Sequence, residues 1–191
     1  MNVFRRFLRL GVLAKIVGLA VTLVVTSVAA GLITTQVVAT NLAEKSRHQV
    51  TTDLAAWIEQ DLVSQRDTAA MLASQAASTP SIQKAFAAGD RAGLLALTMP
   101  TFERLKKDFG VAQFQFHTPD SRSFLRLHKP EKFGDDLSGF RTTVVAANKD
   151  KKVVGGTEGG VAGLGVRSVS PVVFEGRHVG TVEFGLNLAD A

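Results

Sequence analysis

The sequence predicts an α+β protein, with an N-terminal transmembrane helix, a long helix behind it, and then an antiparallel sheet domain. Three observations predict this class. Residues 16–43 contain no charged side chain, and about 20 mostly apolar residues are enough for a helix to cross a bilayer. From Leu54 to Ala76 apolar residues recur at three- and four-residue steps, the spacing of one helix face. After Gly110 the period falls to two, in segments separated by turn residues, as strands require. The divisions that follow are a basic cytoplasmic N-terminus over 1–12, a span over 13–37, a long extracytoplasmic helix over 38–79 and a sheet domain over 80–191.

The net charge of +5 is unevenly spread. Arg5, Arg6, Arg9 and Lys15 are the only charges in the first 40 residues, so four of the five positive units precede or enter the apolar run and the rest is +1. A nucleic-acid binder carries its basic patch on the folded domain, so no nucleic-acid partner is expected. Basic residues on one flank place that flank in the cytoplasm, which puts everything from about Asn41 outside. A cleaved signal peptide, with Val28-Ala29-Ala30 as its small-residue site, is the competing reading. The apolar run continues past those alanines and favours an uncleaved anchor. The chain has no cysteine, which excludes disulfides and thiolate metal sites.

The long helix reads from Leu42 to Ser78, with a narrow stripe of Leu54, Ile58, Leu62, Ala69, Leu72 and Ala76. A narrow stripe suits packing on a small domain or pairing with a second copy as a homodimer. Pro80 ends it. Ser81–Ala88 reads as a short helix, and Pro100 as the first turn of a helix that runs to Gly110. Ala112, Phe114 and Phe116 then alternate with Gln113, Gln115 and His117. A turn at residues 118–121 leads to a strand over Ser123–His128, with Leu125 and Leu127 on one face and Phe124, Arg126 and His128 on the other. A helix is expected from Ser138 to about Asn148, with Asp135 and Asp136 at its start as the helix dipole favours. The glycine-rich stretch after Val154 leads to a strand over Leu164–Phe174, a tight turn at Glu175-Gly176, and a returning strand over Arg177–Leu188.

The glycine-rich stretch fails as a nucleotide loop. The dinucleotide spacing from Gly163 lacks its third glycine and opens a strand, and the phosphate-loop spacing ending at Gly165 has Val166-Arg167 in place of Lys-Ser/Thr. Its glycines suit turns or a close approach to the backbone. His117 and His128 lie on neighbouring strands without a third metal ligand at telling spacing, so no metal and no cofactor are expected. His128 with Asp135 or Asp136 has the residue types of an acid–base pair. No nucleophile accompanies them, and no enzyme is expected.

The positive signal is a constellation. If Arg126, Arg167 and Glu183 share one sheet face, that face holds two guanidinium forks, and Arg141 could add a third. Such forks suit a small carboxylate or phosphate. Phe133 and Phe140 could form an apolar wall, and Asp135, Asp136 or Glu158 could meet an amine. The alternative is that Asp135, Asp136, Glu158 and Glu183 neutralise the arginines in structural pairs. Composition leaves the two readings equal.

The run F-L-R-L-H-K-P-E-K-F-G-D-D-L-S-G-F-R from Phe124 to Arg141 is followed by V-x-x-A-N, G-x-E-x-G, G-L-G-V-R, P-V and G-x-x-V-G-T-V-E-F-G. This order resembles the double-Cache-type sensory domain of bacterial chemoreceptors and sensor kinases, over roughly Gly110–Gly185. The resemblance implies a PAS-like antiparallel sheet facing the periplasm, carried on a dimer-forming helix and binding a small-molecule ligand. Carried over residue by residue, the implied site positions are Arg126, His128, Lys129, Phe133, Asp135, Asp136, Arg141, Glu158, Arg167 and Glu183. The chain ends at Ala191 without a second span, relay helices or an output region. The expectation is the N-terminal part of a methyl-accepting chemotaxis receptor, or a stand-alone sensor. The sensor portion of a histidine kinase or nucleotide cyclase, or an anchored protein-binding scaffold, are the alternatives.

Overall fold

A computed structural model describes residues 11–160 and 163–187. The basic cluster Arg5, Arg6 and Arg9 and the expected strand end at Leu188 lie outside the described residues. The chain divides into two compact units, Met1–Trp57 and Ile58–Ala191.

Helix α1 runs over Val12–Ser78, and its N-terminal portion is long and apolar enough to cross a membrane. The apolar side chains there, from Val12 to Val38, are exposed. The few hydroxyls in this stretch bond back to their own helix, as in Thr22 Oγ1 to Gly18 O at 2.8 Å and Ser27 Oγ to Leu23 O at 2.8 Å. That removes the penalty of an unpartnered polar group in an apolar medium.

In the second unit the end of α1 is followed by α2 (Pro80–Ala87) and α3 (Arg91–Phe109). Strands β1 (Val111–His117), β2 (Ser123–Arg126), β3 (Val154–Gly160), β4 (Gly163–Phe174) and β5 (Arg177–Asn187) form one sheet, with helix α4 (Thr142–Asp150) between β2 and β3. The sheet is antiparallel throughout, in the order β2-β1-β5-β4-β3. The α+β class and the antiparallel sheet are as the sequence predicts.

One face of the sheet carries the main core. Ala69, Ala73 and Ala76 bring α1 close to it, Phe86 comes from α2, and Leu94 and Phe102 come from α3. They meet Phe114, Phe116, Leu125, Val182 and Phe184. Small residues at three- and four-residue steps allow the close approach, and the large rings fill the remaining space. Phe114 stacks on Phe184 with centroids 4.1 Å apart, and Phe86 meets Phe116 edge-on at 5.3 Å. The other face is covered in part by α4, whose Val144 and Ala147 pack on Val169.

Several expectations are corrected. Phe124 does not share a face with Arg126. The β1–β2 register pairs Phe116 with Leu125 but His117 with Ser123, so Phe124 is the extra residue of a bulge. Its ring swings to within 5.0 Å of Phe86. Strand β2 stops at Arg126, and His128 sits in the turn that follows. Helix α3 begins at Arg91 rather than near Pro100, because the Asp90 carboxylate accepts from Gly93 N at 2.8 Å and caps it there. Helix α4 begins at Thr142 rather than Ser138. The Asp136 carboxylate takes Ser138 N at 2.9 Å in a local turn, and the carboxylate at the helix start is Glu158, accepting from Thr143 N at 2.8 Å. The glycine-rich stretch is a paired strand, β3, which has no alternating side chains to announce it. At Gly155 a Cβ would lie 2.6 Å from both Arg66 Cγ and Ser168 Oγ, so α1 touches the sheet where only glycine fits. The Glu175-Gly176 turn has positive φ at both residues, 48° and 74°, as a two-residue hairpin needs.

Candidate functional site

The period-two pattern of β1 sends Gln113, Gln115 and His117 to the sheet face opposite the main core. Register places Gln115 beside Glu183 on β5 and Arg126 on β2, and Arg167 on β4 beside Gly185. Arg126, Arg167 and Glu183 therefore share one face. Arg141 joins them from the residue that caps α4.

Glu183 is fully buried at the centre. Arg141 Nη2 donates to its Oε2 at 2.6 Å, Arg167 Nη1 to its Oε1 at 3.2 Å, and Gln115 Nε2 to its Oε1 at 2.8 Å. Burial would raise the Glu183 pKa, but Arg141, His117 and Arg167 outweigh it and hold the pKa at about 2. Arg141 Nε also reaches Glu158 Oε2 at 3.1 Å. Partial burial pushes Glu158 up. The hydroxyl of Thr142 and the amide and hydroxyl of Thr143, with Arg141, bring it below the usual carboxylate range. Arg167 Nη1 donates to Gln113 Oε1, while Arg167 Nε is buried without a hydrogen-bond partner among the described residues. His117 is fully buried. Its Nδ1 lies 3.2 Å from Thr181 Oγ1 and its Nε2 lies 3.6 Å from Glu183 Oε2. Burial lowers its pKa to about 4, against the pull of Glu183, so the ring is neutral at pH 7.

Above this network lies a cavity of about 180 Å³. Gln113, Gln115, Arg141 and Arg167 form its base, and Leu137 and Phe140 its apolar wall. Arg126 is buried in its side, and the exposed His128, Lys129 and Lys132 stand around its mouth. Arg126 grips Asp135 with two parallel bonds of 2.7 Å and donates to Lys132 O at 2.9 Å, which ties the loop between β2 and α4 to the sheet. The Arg126 bonds hold Asp135 below the usual carboxylate range. Neither Lys129 nor Lys132 pairs with an acid among the described residues. Partial desolvation, then the charge of Arg126, lowers the His128 pKa.

The expected residues thus divide. Arg126, His128, Arg141 and Arg167 line the cavity, as does Phe140. Glu183 and Glu158 sit behind the arginines. Asp135 is the partner of Arg126, and Asp136 serves the Ser138 turn. Phe133 is drawn away from the cavity. Its ring lies 3.7 Å from the Arg91 guanidinium, which also donates to Phe124 O and Pro130 O and so clamps the same loop from α3. Gln113, Gln115, Lys132 and Leu137 had no assigned role. The first two were legible as the polar face of β1, whereas Lys132 and Leu137 come in from a loop that no period describes. Among the described residues, no group of three or more His, Cys, Asp or Glu gathers as metal ligands.

Residues 43–191 match the family model described as the double sensory domain of two-component sensor kinase. No curated protein matches the sequence. Among solved structures, the sensor domain of DcuS from E. coli is similar at 18% identity and a TM-score of 0.55, covering 68% of this chain and 92% of that one. The sensor domain of the histidine kinase DctB from V. cholerae is similar at 10% identity and a TM-score of 0.50, covering 69% of this chain and 55% of that one. A domain of a sensory box/GGDEF family protein from Vibrio parahaemolyticus follows at 12% identity and a TM-score of 0.51, covering 69% and 56%. These likenesses show a shared fold. With the family match over most of its length, the chain belongs to the double Cache family of sensory domains.

Proposed function

We propose that this chain is the membrane-anchored sensing part of a chemoreceptor, and that its charged cavity takes a small anion. The observation that carries the reading is the imbalance of the cavity. Deep in the site the charges of Arg141 and Arg167 are met by Glu183 and Glu158, and Arg126 is met by Asp135. Among the described residues neither lysine at the mouth forms a salt bridge, and Lys132 acts on Asp135 only through its charge, as a minor influence beside Arg126. An anion such as a carboxylate would meet Lys129 and Lys132 first and then compete with Asp135 for the Arg126 fork. Its uncharged part would rest on Leu137 and Phe140, with the amides of Gln113 and Gln115 beneath. In this reading the N-terminus is cytoplasmic, the sheet domain is periplasmic, and two copies pair through α1. The exposed side chains of Val50, Leu54, Trp57 and Ile58 supply an apolar surface for that pairing. Signalling requires the ligand to favour one arrangement of the helices over another.

The test is thermal melting of the full chain in lipid nanodiscs against organic acids, amino acids, amines and inorganic anions. One anion is expected to raise the melting temperature as its concentration rises. At a hundredfold excess over its Kd the gain is about 2.7 kcal/mol, a shift of several degrees. The shift should vanish in Arg126→Ala. No shift from any compound overturns the reading and favours an anchored protein-binding scaffold. The match to sensor kinases keeps a histidine kinase output as the second reading. Fusing the chain in turn to a kinase output and to a chemotaxis output, and asking which responds to the anion, separates the two.

A further inference from the structure

The opposite face of the same sheet carries a second cavity, of about 220 Å³, where α1, α2 and α3 meet β1 and β5. Its chemistry is the reverse of the first. None of the twelve residues that line it is charged. Leu72, Ala76, Leu97 and Leu105 form its walls, and the stacked rings of Phe114 and Phe184 form its floor. Of the hydroxyls that reach it, Thr79 Oγ1 is committed to Gln75 O at 2.8 Å and Thr98 Oγ1 to Leu94 O at 2.7 Å. No charged side chain stands there to pair with an ion, and the remaining polar side chains, Gln75, Ser81 and Thr101, are exposed at the rim, so an ion against the apolar floor would lose hydration without gaining a partner.

Protein interiors contain few voids larger than a water molecule. An enclosed apolar cavity of about 150 Å³ takes up benzene, and this one, open to solvent past the exposed Leu97, Ser81 and Thr101, has room for a body of that size. We propose that this cavity is a second binding site, for an uncharged molecule with an apolar body of about one six-membered ring. Ser81 and Thr101, both exposed at the rim, leave room for a single hydroxyl on such a molecule. Leu72 and Ala76 belong to the last turns of α1, so occupancy bears on the joint between that helix and the sheet. The site is independent of the anion cavity. The two are separated by β1 and β5, and neither needs the other to be filled.

The experiment is methyl NMR of the full chain in lipid nanodiscs, titrated with benzene. The methyl signals of Leu72, Leu97, Leu105 and Ile82 should shift to saturation, while that of Leu137, in the charged cavity, stays in place. Benzoate, of similar shape but charged, should leave all four unmoved. Ala76→Leu fills the cavity with a larger side chain and should weaken benzene binding by about tenfold or more. The unchanged Leu125 and Leu137 signals report that this variant is folded. If Ala76→Leu disturbs those signals, Leu97→Trp, at the half-exposed edge of the same cavity, takes its place and should weaken benzene binding likewise; an unaltered response in the folded variant overturns the proposal. Shifts that rise linearly without saturating, as simple partition into lipid gives, overturn the proposal. So does a benzoate response equal to that of benzene.

Discussion

His117 makes the folded domain sensitive to mild acid. Its ring is fully buried, with a pKa lowered to about 4 by that burial, against about 6.5 in an unfolded chain. As pH falls below 6.5 the unfolded chain takes up the proton and the folded chain does not, so stability present above pH 6.5 is lost on the way down to pH 4. With these values the loss is about 2 kcal/mol between pH 7 and pH 5, and about 3 kcal/mol by pH 4. The carboxylates contribute in a lower window. Glu183, Glu158 and Asp135 are all held below their usual range, so their stabilisation persists until pH falls below about 4. The interval from pH 7 to 5 therefore belongs to the histidines. His128 and His178 are also lowered, but solvent screens them and they add less. The assay is native-state hydrogen exchange of the core amides of β1 and β5 in the full chain, corrected for intrinsic rates, because the slowest amides report global opening. His117→Asn keeps a polar atom near Thr181 Oγ1 and removes the titration. It should flatten most of the change in opening free energy between pH 7 and pH 5. An equally steep pH dependence in wild type and His117→Asn would show that a group other than His117 carries the acid sensitivity.

Three further outcomes follow from the same network and its surroundings. Glu183→Gln leaves Arg141 and Arg167 without their central counter-charge, and should lower stability by about 3–5 kcal/mol. Unaltered exchange of the β5 amides in that variant would count against Glu183 as the balancing charge. Gly180 has φ of +139°, and an added Cβ would overlap the His117 carbonyl oxygen and lie 2.7 Å from Phe86 Cζ. Gly180→Ala should therefore cost about 2 kcal/mol or more, read as a drop of several degrees in melting temperature, and an unchanged melt would contradict the packing at that edge. Asp135→Asn removes the competitor for the Arg126 fork, so the amides of the loop between β2 and α4 should exchange faster while the affinity for the anion rises. Weaker anion binding in Asp135→Asn would show that Asp135 assists the ligand rather than competing with it.

Much of the site was legible because strands keep strict alternation. The pattern of β1 alone separates Phe114 and Phe116 from Gln113, Gln115 and His117, and the structure sends the two sets to opposite faces. Alternation left a common side for Arg126, Arg167 and Glu183 open, and the register between the strands supplies it. What the sequence did not reveal depends on partners distant along the chain. Phe124 leaves its face because β1 imposes a bulge on β2, and no feature of residues 123–128 announces it. The start of α4 is set by Glu158, which reaches Thr143 across 15 residues. Strand β3 exists because β4 pairs with it, although its own glycines disfavour a strand. The balance of the buried charges was equally hidden. Counting arginines and acids showed that pairing was open to them, and only the fold shows Glu183 shared between Arg141 and Arg167.

Occupancy of the charged cavity by a small anion can be followed at the residues that line it. The most direct measurement is NMR of the full chain in nanodiscs with the anion that raises its melting temperature, following the side-chain amides of Gln113 and Gln115 and the methyls of Leu137. These signals should shift to saturation, those of Leu72 and Leu97 on the opposite face should not, and Lys129→Ala with Lys132→Ala should weaken the response. Saturable shifts confined to residues outside the cavity, or a response untouched by loss of both lysines, would contradict that occupancy.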